Sequence, residues 1–185
     1  MAETIRLLQE DHKNLAKLLK VLERQIAHFE DGGEVDFDIV RGALDYCLNY
    51  PDLCHHPKED LVFQHLLARD PRAADMIGDL EAEHRGLAEA TRKMAAAVHQ
   101  LIEGGGRPEA WFGDTARTFL DAYWRHMEME ETTFFPIALQ ELTDADWAEI
   151  DAAVTEMTDP LFSGRVEERY KVLRNEVLLW DEITP

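Results

Sequence analysis

Two pairs with the spacing His-x-x-x-Glu, His55 with Glu59 and His126 with Glu130, set an imidazole and a carboxylate one helical turn apart. Imidazole nitrogen and carboxylate oxygen together suit iron, zinc, manganese or copper, so each pair offers two ligands from one helix face. Two further histidines interrupt apolar ladders: Ile5, Leu8, His12, Leu15, Leu19 and Ile77, Leu80, His84, Leu87, Thr91. His56, next to His55, can also reach inward. Any one of these, alone, reads best as a hydrogen-bonded core histidine. Four in-phase interruptions on four helices reverse that reading, because buried imidazoles and carboxylates without partners cost several kcal/mol each, and metal ions satisfy them directly. A third match to the spacing, His99 with Glu103, lies beside the Val98–Leu101 stripe near a helix end and reads as a solvated pair.

Four long amphipathic segments must carry these donors. The first spans about residues 4–29 and stops at Asp31-Gly32-Gly33. The second spans 36–68, with 49–57 expected to be irregular or kinked because Pro51 and Pro57 each remove a backbone donor. The third spans 72–102 and ends in Gly104-Gly105-Gly106; the fourth runs from Pro108 to Leu142, with Pro136 expected to kink its last turns. Short links between long helices imply an all-α, up-down antiparallel four-helix bundle over residues 1–142. Residues 143–185 then form a short helical C-terminal extension packed on the bundle: Thr143 with Asp144 and Asp146 starts one helix, and Asp159-Pro160 and Ser163-Gly164 separate it from a second. A homodimer contact is the lesser alternative use of that tail.

Ligands of one site must meet at one height. His12 and His84 lie roughly 9 to 12 residues from their helix starts, and His55–Glu59 and His126–Glu130 roughly 9 to 16 from their helix ends; at 1.5 Å per residue all fall about 13 to 24 Å from one end of an alternating bundle. His28 and His65 lie off that level. Met94, Met127 and Met129 read as packing, since thioethers suit softer metals, and Cys54 is a minor thiol candidate beside His55. Two carboxylates among about seven donors exceed what one tetrahedral zinc takes but fit two ions bridged by Glu59 and Glu130. The carboxylate-rich di-iron bundles need Glu-x-x-His on two helices, and here Glu81-x-x-His84 has no in-phase second copy.

The balance of 38 acidic against 19 basic residues in 185, a formal charge of −19, argues against nucleic acid and anionic membrane surfaces as partners. No apolar run approaches a membrane span, and the start of the chain lacks the pattern of a secretory signal, so a cytoplasmic location is expected. Cys47 and Cys54, seven apart on one helix, are too far apart for a disulfide.

These residues resemble the hemerythrin-like (HHE cation-binding) domain family. The likeness rests on Glu10-Asp11-His12, His55-His56-Pro57-Lys58-Glu59-Asp60, Glu83-His84, and His126-Met127-Glu128-Met129-Glu130-Glu131 followed by Phe134-Phe135-Pro136, and covers about residues 4–142. It implies a non-haem, oxo- or hydroxo-bridged di-iron site with His12 and His55 on one iron, His84 and His126 on the other, and Glu59 and Glu130 bridging. Zinc and manganese remain compatible with the same donors. Two departures stand out. Oxygen-carrying members typically have a further histidine at the position of Leu80, which His56 could replace from the second helix. They also often have an aspartate five residues after the position of His126, where this chain has Glu130 one turn on, a spacing similar to the sensor and stress-related branches.

The expected function is binding or sensing of dioxygen or a related small oxidant (nitric oxide, peroxide), with apolar Leu15, Leu80, Phe63 and Phe119 admitting gases and excluding water. The alternatives are a di-iron redox enzyme acting on peroxide or nitric oxide, an iron-donating repair protein, and a structural bundle with an adventitious metal. The electron-transfer partner stays open.

Overall fold

The structure, a computed structural model, describes residues 2–104, 109–154, 160–162 and 168–183, and every regular element among them is helical. α1 (Glu3–Glu30) runs unbroken to Asp31. There Gly32 takes φ of +73°, a left-handed turn without steric cost only for glycine. α2 (Phe37–Tyr50) starts on Asp36, whose carboxylate accepts the backbone N–H groups of Asp38 and Ile39.

The stretch 49–57 departs from expectation. It stays helical, passing from α2 through a π-helical turn (Pro51–His55) into α3 (His56–Arg69). The N–H of His56 donates to the carbonyl of Pro51, five residues back, so the wider turn carries the chain past the prolines. The same device recurs in the fourth segment: α6 (Glu109–Met129) leads through a π-helical turn (Glu130–Phe134), closed by the Phe135 N–H on the Glu130 carbonyl, into α7 (Phe135–Glu141) with Pro136 in its first turn.

The third segment is also corrected. A short α4 (Ala73–Ile77) is separated from α5 (Leu80–Ile102) by Gly78, at φ +88°, and by Asp79, whose side chain caps α5 on the Ala82 N–H. Ile77 is buried but belongs to α4, and His84 sits in the second turn of α5. Gly104 (φ +69°) follows α5. The expected markers Gly105, Gly106, Pro108, Asp159, Ser163 and Gly164 lie outside the described residues. α8 (Asp144–Ala153) opens on a reciprocal cap between Thr143 and Asp146; further on come a 3-10 turn (Glu168–Tyr170) and α9 (Lys171–Ile183).

The four long segments contact one another in a ring: α1 against α2 and α3, these against α5, α5 against α6, and α6 back against α1. α8 packs on α1 and α3, and α9 on α1 and α2. The apolar interior is divided in two. One cluster includes Leu15, Leu22, Cys47, Met94, Phe119, Tyr123, Tyr170 and Leu173; the other includes Ile5, Leu8, Val62, Leu66, Leu80, Phe134, Phe135 and Trp147. The polar donors lie between them, each flanked along its helix by one cluster on either side. No helix among the described residues is long and apolar enough to cross a membrane.

Candidate metal centre

All seven donors are buried: His12, His55, His56, His84 and His126 are at most 8% exposed, and Glu59 and Glu130 are fully enclosed. Adjacent residues on a regular α-helix point about 100° apart. His55 and His56 nevertheless both turn inward, at the junction where the first π turn meets α3. Glu130 opens the second π turn, one turn after His126. Extra residues of this kind re-aim side chains and recur at functional sites.

The donors form two groups that share a centre. His12, His55, Glu59 and Glu130 offer four atoms within 4.8 Å of one another, and His56, Glu59, His84 and His126 offer another four. Glu59 spans both: its Oε1 lies 3.0 Å from His55 Nε2 and 3.9 Å from His12 Nε2, while Oε2 lies 3.3 Å from His84 Nε2. Glu130 spans them in the opposite sense, Oε2 at 3.1 Å from His12 Nε2 and Oε1 at 3.1 Å from His126 Nε2 and 3.9 Å from His84 Nε2. The Nε2 atoms of His12 and His55 approach to 3.2 Å, and the rings of His56 and His84 stack at 3.7 Å.

The carboxylate–imidazole approaches, unlike that of His12 to His55, do not have hydrogen-bond geometry. Both oxygens of Glu59 and of Glu130, with Nε2 of His84 and of His126, are buried without a hydrogen-bond partner. Buried polar atoms that converge yet leave one another unsatisfied fit a cation between them, and the donor set of imidazole and carboxylate suits iron, zinc or manganese. The charge balance agrees. Burial alone would raise the Glu59 and Glu130 carboxyls, but the surrounding imidazoles hold both below the usual carboxylate range. Burial alone would lower His55 and His84, but Glu59 with Asp11 and Glu130 outweighs it at His55, and the two glutamates do so at His84, pushing them up to about 10 and about 9. His56 goes the other way, down to about 4, through burial and the adjacent His84. The two carboxylates thus demand positive charge, which protons or metal ions can supply in exchange.

Behind the donors stands a layer that sequence reasoning missed. Each imidazole turns its Nδ1 toward an outer carboxylate: His12 to Glu131 at 2.9 Å, His55 to Asp11 at 3.3 Å, His56 to Asp52 at 3.0 Å, His84 to Asp60 at 3.9 Å and His126 to Glu83 at 3.0 Å. Four of these contacts close a ring. α1 gives Asp11 to the second segment, α3 gives Asp60 to α5, α5 gives Glu83 to α6, and the π turn after α6 gives Glu131 back to α1. At His12, His55, His56 and His126, where the contact is a hydrogen bond, the carboxylate on Nδ1 favours the tautomer that leaves Nε2 able to bind a metal. The signal lay in plain view: Asp11, Asp60, Glu83 and Glu131 are each the sequence neighbour of a donor. Asp11 also takes Lys58 Nζ at 2.8 Å and the Tyr50 hydroxyl at 2.8 Å. Burial works against its charge, yet His55 and Lys58 hold its carboxyl down to about 2.

A small cavity of about 10 Å³ adjoins the centre, bounded by His12, His55, His56 and His126 and by apolar Leu15, Pro51, Leu87, Tyr123 and Met127. Of the apolar neighbours expected from sequence, Leu15 lines it; Leu80 and Phe63 pack in the opposite cluster, and Phe119 lies deeper beside Tyr123. Leu80 is buried, and His56 supplies the fifth imidazole of the cluster. His99 and Glu103 are exposed, 3.3 Å apart; His28 is exposed and His65 half-buried; Met94 and Met127 are core residues. Cys47 and Cys54 are buried and not joined in a disulfide.

No curated protein and no solved structure gives a match to this chain. Residues 3–138 do match the family model of the hemerythrin HHE cation-binding domain. That match takes in all four donor-bearing segments and both shared carboxylates, and the chain belongs to the hemerythrin HHE cation-binding family.

Proposed function

We propose that this chain is a non-haem di-iron protein that binds or senses dioxygen or a related small oxidant. One observation carries the reading: Glu59 and Glu130 each present one oxygen to either histidine group, the arrangement of two bridging carboxylates. His12 and His55 would hold one iron and His56, His84 and His126 the other. Ferrous iron supplies affinity for diatomic ligands and one-electron chemistry. The chain supplies the rest: the outer carboxylates orient the imidazoles, and the apolar cluster on each side excludes water.

Size supports a small ligand. The cavity of about 10 Å³ enclosed beside the centre is on the order of one water-sized sphere, the scale of a small inorganic ligand. The ring of helix contacts supports an antiparallel up-down bundle over residues 1–142 as the unit that carries the site, with 143–185 as an extension laid on it. Two cysteines outside any disulfide support a reducing, cytoplasmic setting.

Visible spectra of anaerobic, iron-loaded protein exposed in turn to air, nitric oxide and hydrogen peroxide test this. A new charge-transfer band that disappears on degassing is the expected result. A one-way change that recurs only when reductant is supplied moves the assignment to a redox enzyme, and iron that responds to none of the three contradicts both.

A further inference from the structure

Three of the chain's four tyrosines lie in one line between the metal centre and the surface. Tyr50 is the inner end: its hydroxyl donates at 2.8 Å to Asp11, whose other oxygen faces His55 Nδ1. Its ring stacks on Tyr46, centroids 4.8 Å apart and planes 19° apart. Tyr46 in turn meets the edge of Tyr170 at 5.8 Å. Tyr170 is the outer end. Its hydroxyl donates at 2.8 Å to Asp45, the Arg169 guanidinium lies 4.6 Å over its ring, and Arg169 and Asp45 are about half exposed and paired at 2.9 Å. The three rings themselves are at most 5% exposed.

We propose that Tyr50, Tyr46 and Tyr170 form an electron conduit that refills the oxidised metal centre from a one-electron donor at the Asp45–Arg169 surface. The proposal rests on the iron reading above and extends it. Phenylalanine would pack the same stack without burying three phenols, and a buried hydroxyl is costly unless bonded. Both ends here carry a carboxylate at hydrogen-bond distance, the partner a phenol needs because losing an electron makes its proton strongly acidic.

The steps balance. After peroxide or dioxygen has oxidised the centre, Tyr50 gives it one electron and passes its phenolic proton to Asp11. An electron from Tyr170, relayed by the Tyr46 ring, refills Tyr50, which regains the proton from Asp11, while the Tyr170 proton moves to Asp45. A one-electron reductant at the surface restores Tyr170, and Asp45 returns the proton. The net transfer is one electron from the outer donor to the centre, with no net proton. The C-terminal extension thereby has a task, since the 3-10 turn before α9 brings the outer ring.

The remaining tyrosine serves as the control. Tyr123 lines the same cavity, but its hydroxyl bonds to Thr91 and to the Cys47 carbonyl, away from the line. Full-length, iron-loaded protein is mixed with hydrogen peroxide, frozen and read by electron paramagnetic resonance, with iron content and its oxidation followed optically in the same samples. The wild type is expected to show a tyrosyl radical that ascorbate quenches. Tyr50→Phe is expected to lose the radical, Tyr170→Phe to keep it but lose rapid quenching by ascorbate, and Tyr123→Phe to change neither. Phenylalanine preserves each ring's packing, so a purely structural stack would leave quenching unaltered in Tyr170→Phe, and that result overturns the proposal. So does iron that is bound and oxidised without any radical, or a radical that survives Tyr50→Phe and vanishes in Tyr123→Phe. Protein that takes up no iron, or whose iron peroxide leaves unchanged, overturns the iron reading and the conduit with it.

Discussion

Carboxylates enclosed as completely as Glu59 and Glu130 persist only where positive charge faces them, and each faces imidazole nitrogens at both of its oxygens. The outer residues decide how well those nitrogens are aimed. Asp11 is the most enclosed of the outer carboxylates and the most connected, holding His55, Lys58 and Tyr50 together. Asp11→Asn keeps the volume and removes the charge. It is expected to weaken metal binding about 10- to 100-fold, the usual cost of losing an outer partner, as read by competition with a chromophoric chelator. An unchanged affinity would mean that the ring of outer carboxylates is incidental surface charge. The donors themselves were legible at this scale because a polar residue inside an apolar ladder is conspicuous. The outer carboxylates were not, because Asp11 beside His12 serves His55, and Glu83 beside His84 serves His126: the pairing runs between helices and no one-dimensional pattern reveals it.

Elements hold the donors at one level, and the ends of the helices show what keeps them there. Asp146 caps α8 and also receives two hydrogen bonds from the Arg69 guanidinium, at 2.8 Å each, so α8 is tied to the end of α3. Arg69 first, then Thr143, holds the Asp146 carboxyl well below its usual range. A carboxyl whose folded value is depressed contributes stability that is complete above the ordinary aspartate value of about 3.9 and is lost as pH falls toward the folded value. Urea unfolding should therefore show Asp146→Asn less stable than wild type at pH 7, with the gap shrinking below about pH 4. A gap that is constant with pH would place the effect elsewhere. The sequence pattern located all four long segments to within a few residues. It missed two features that depend on backbone register. Gly78-Asp79 reads as an ordinary helix interruption only when the positive φ at Gly78 is known, and a π turn preserves helical periodicity on both sides, so the kinks expected at Pro51 and Pro136 take the form of a locally widened helix.

At the scale of the whole molecule, a polar layer divides the apolar interior into two clusters, and residues of all four segments pack together in each cluster as well as meeting in the layer. A bundle arranged so gains stability from any ion that binds the folded layer alone, about 4 kcal/mol at a thousandfold excess over the dissociation constant. The surface charge of −19 adds a general attraction for cations but no selectivity, which must come from the buried donors. The all-helical class and the family were legible from periodicity and from the His-His-Pro-Lys-Glu stretch; the line of tyrosines was not, since Tyr170 reaches Tyr46 only after the chain folds back over α2. The most direct test of the central claim is elemental analysis of protein purified without oxygen from iron-replete cells, with thermal unfolding of the loaded and stripped forms. Two irons per chain, one for each donor group, and a clearly lower unfolding temperature once they are removed are the expected results. Zinc alone, or no metal with identical unfolding of both forms, would contradict that claim.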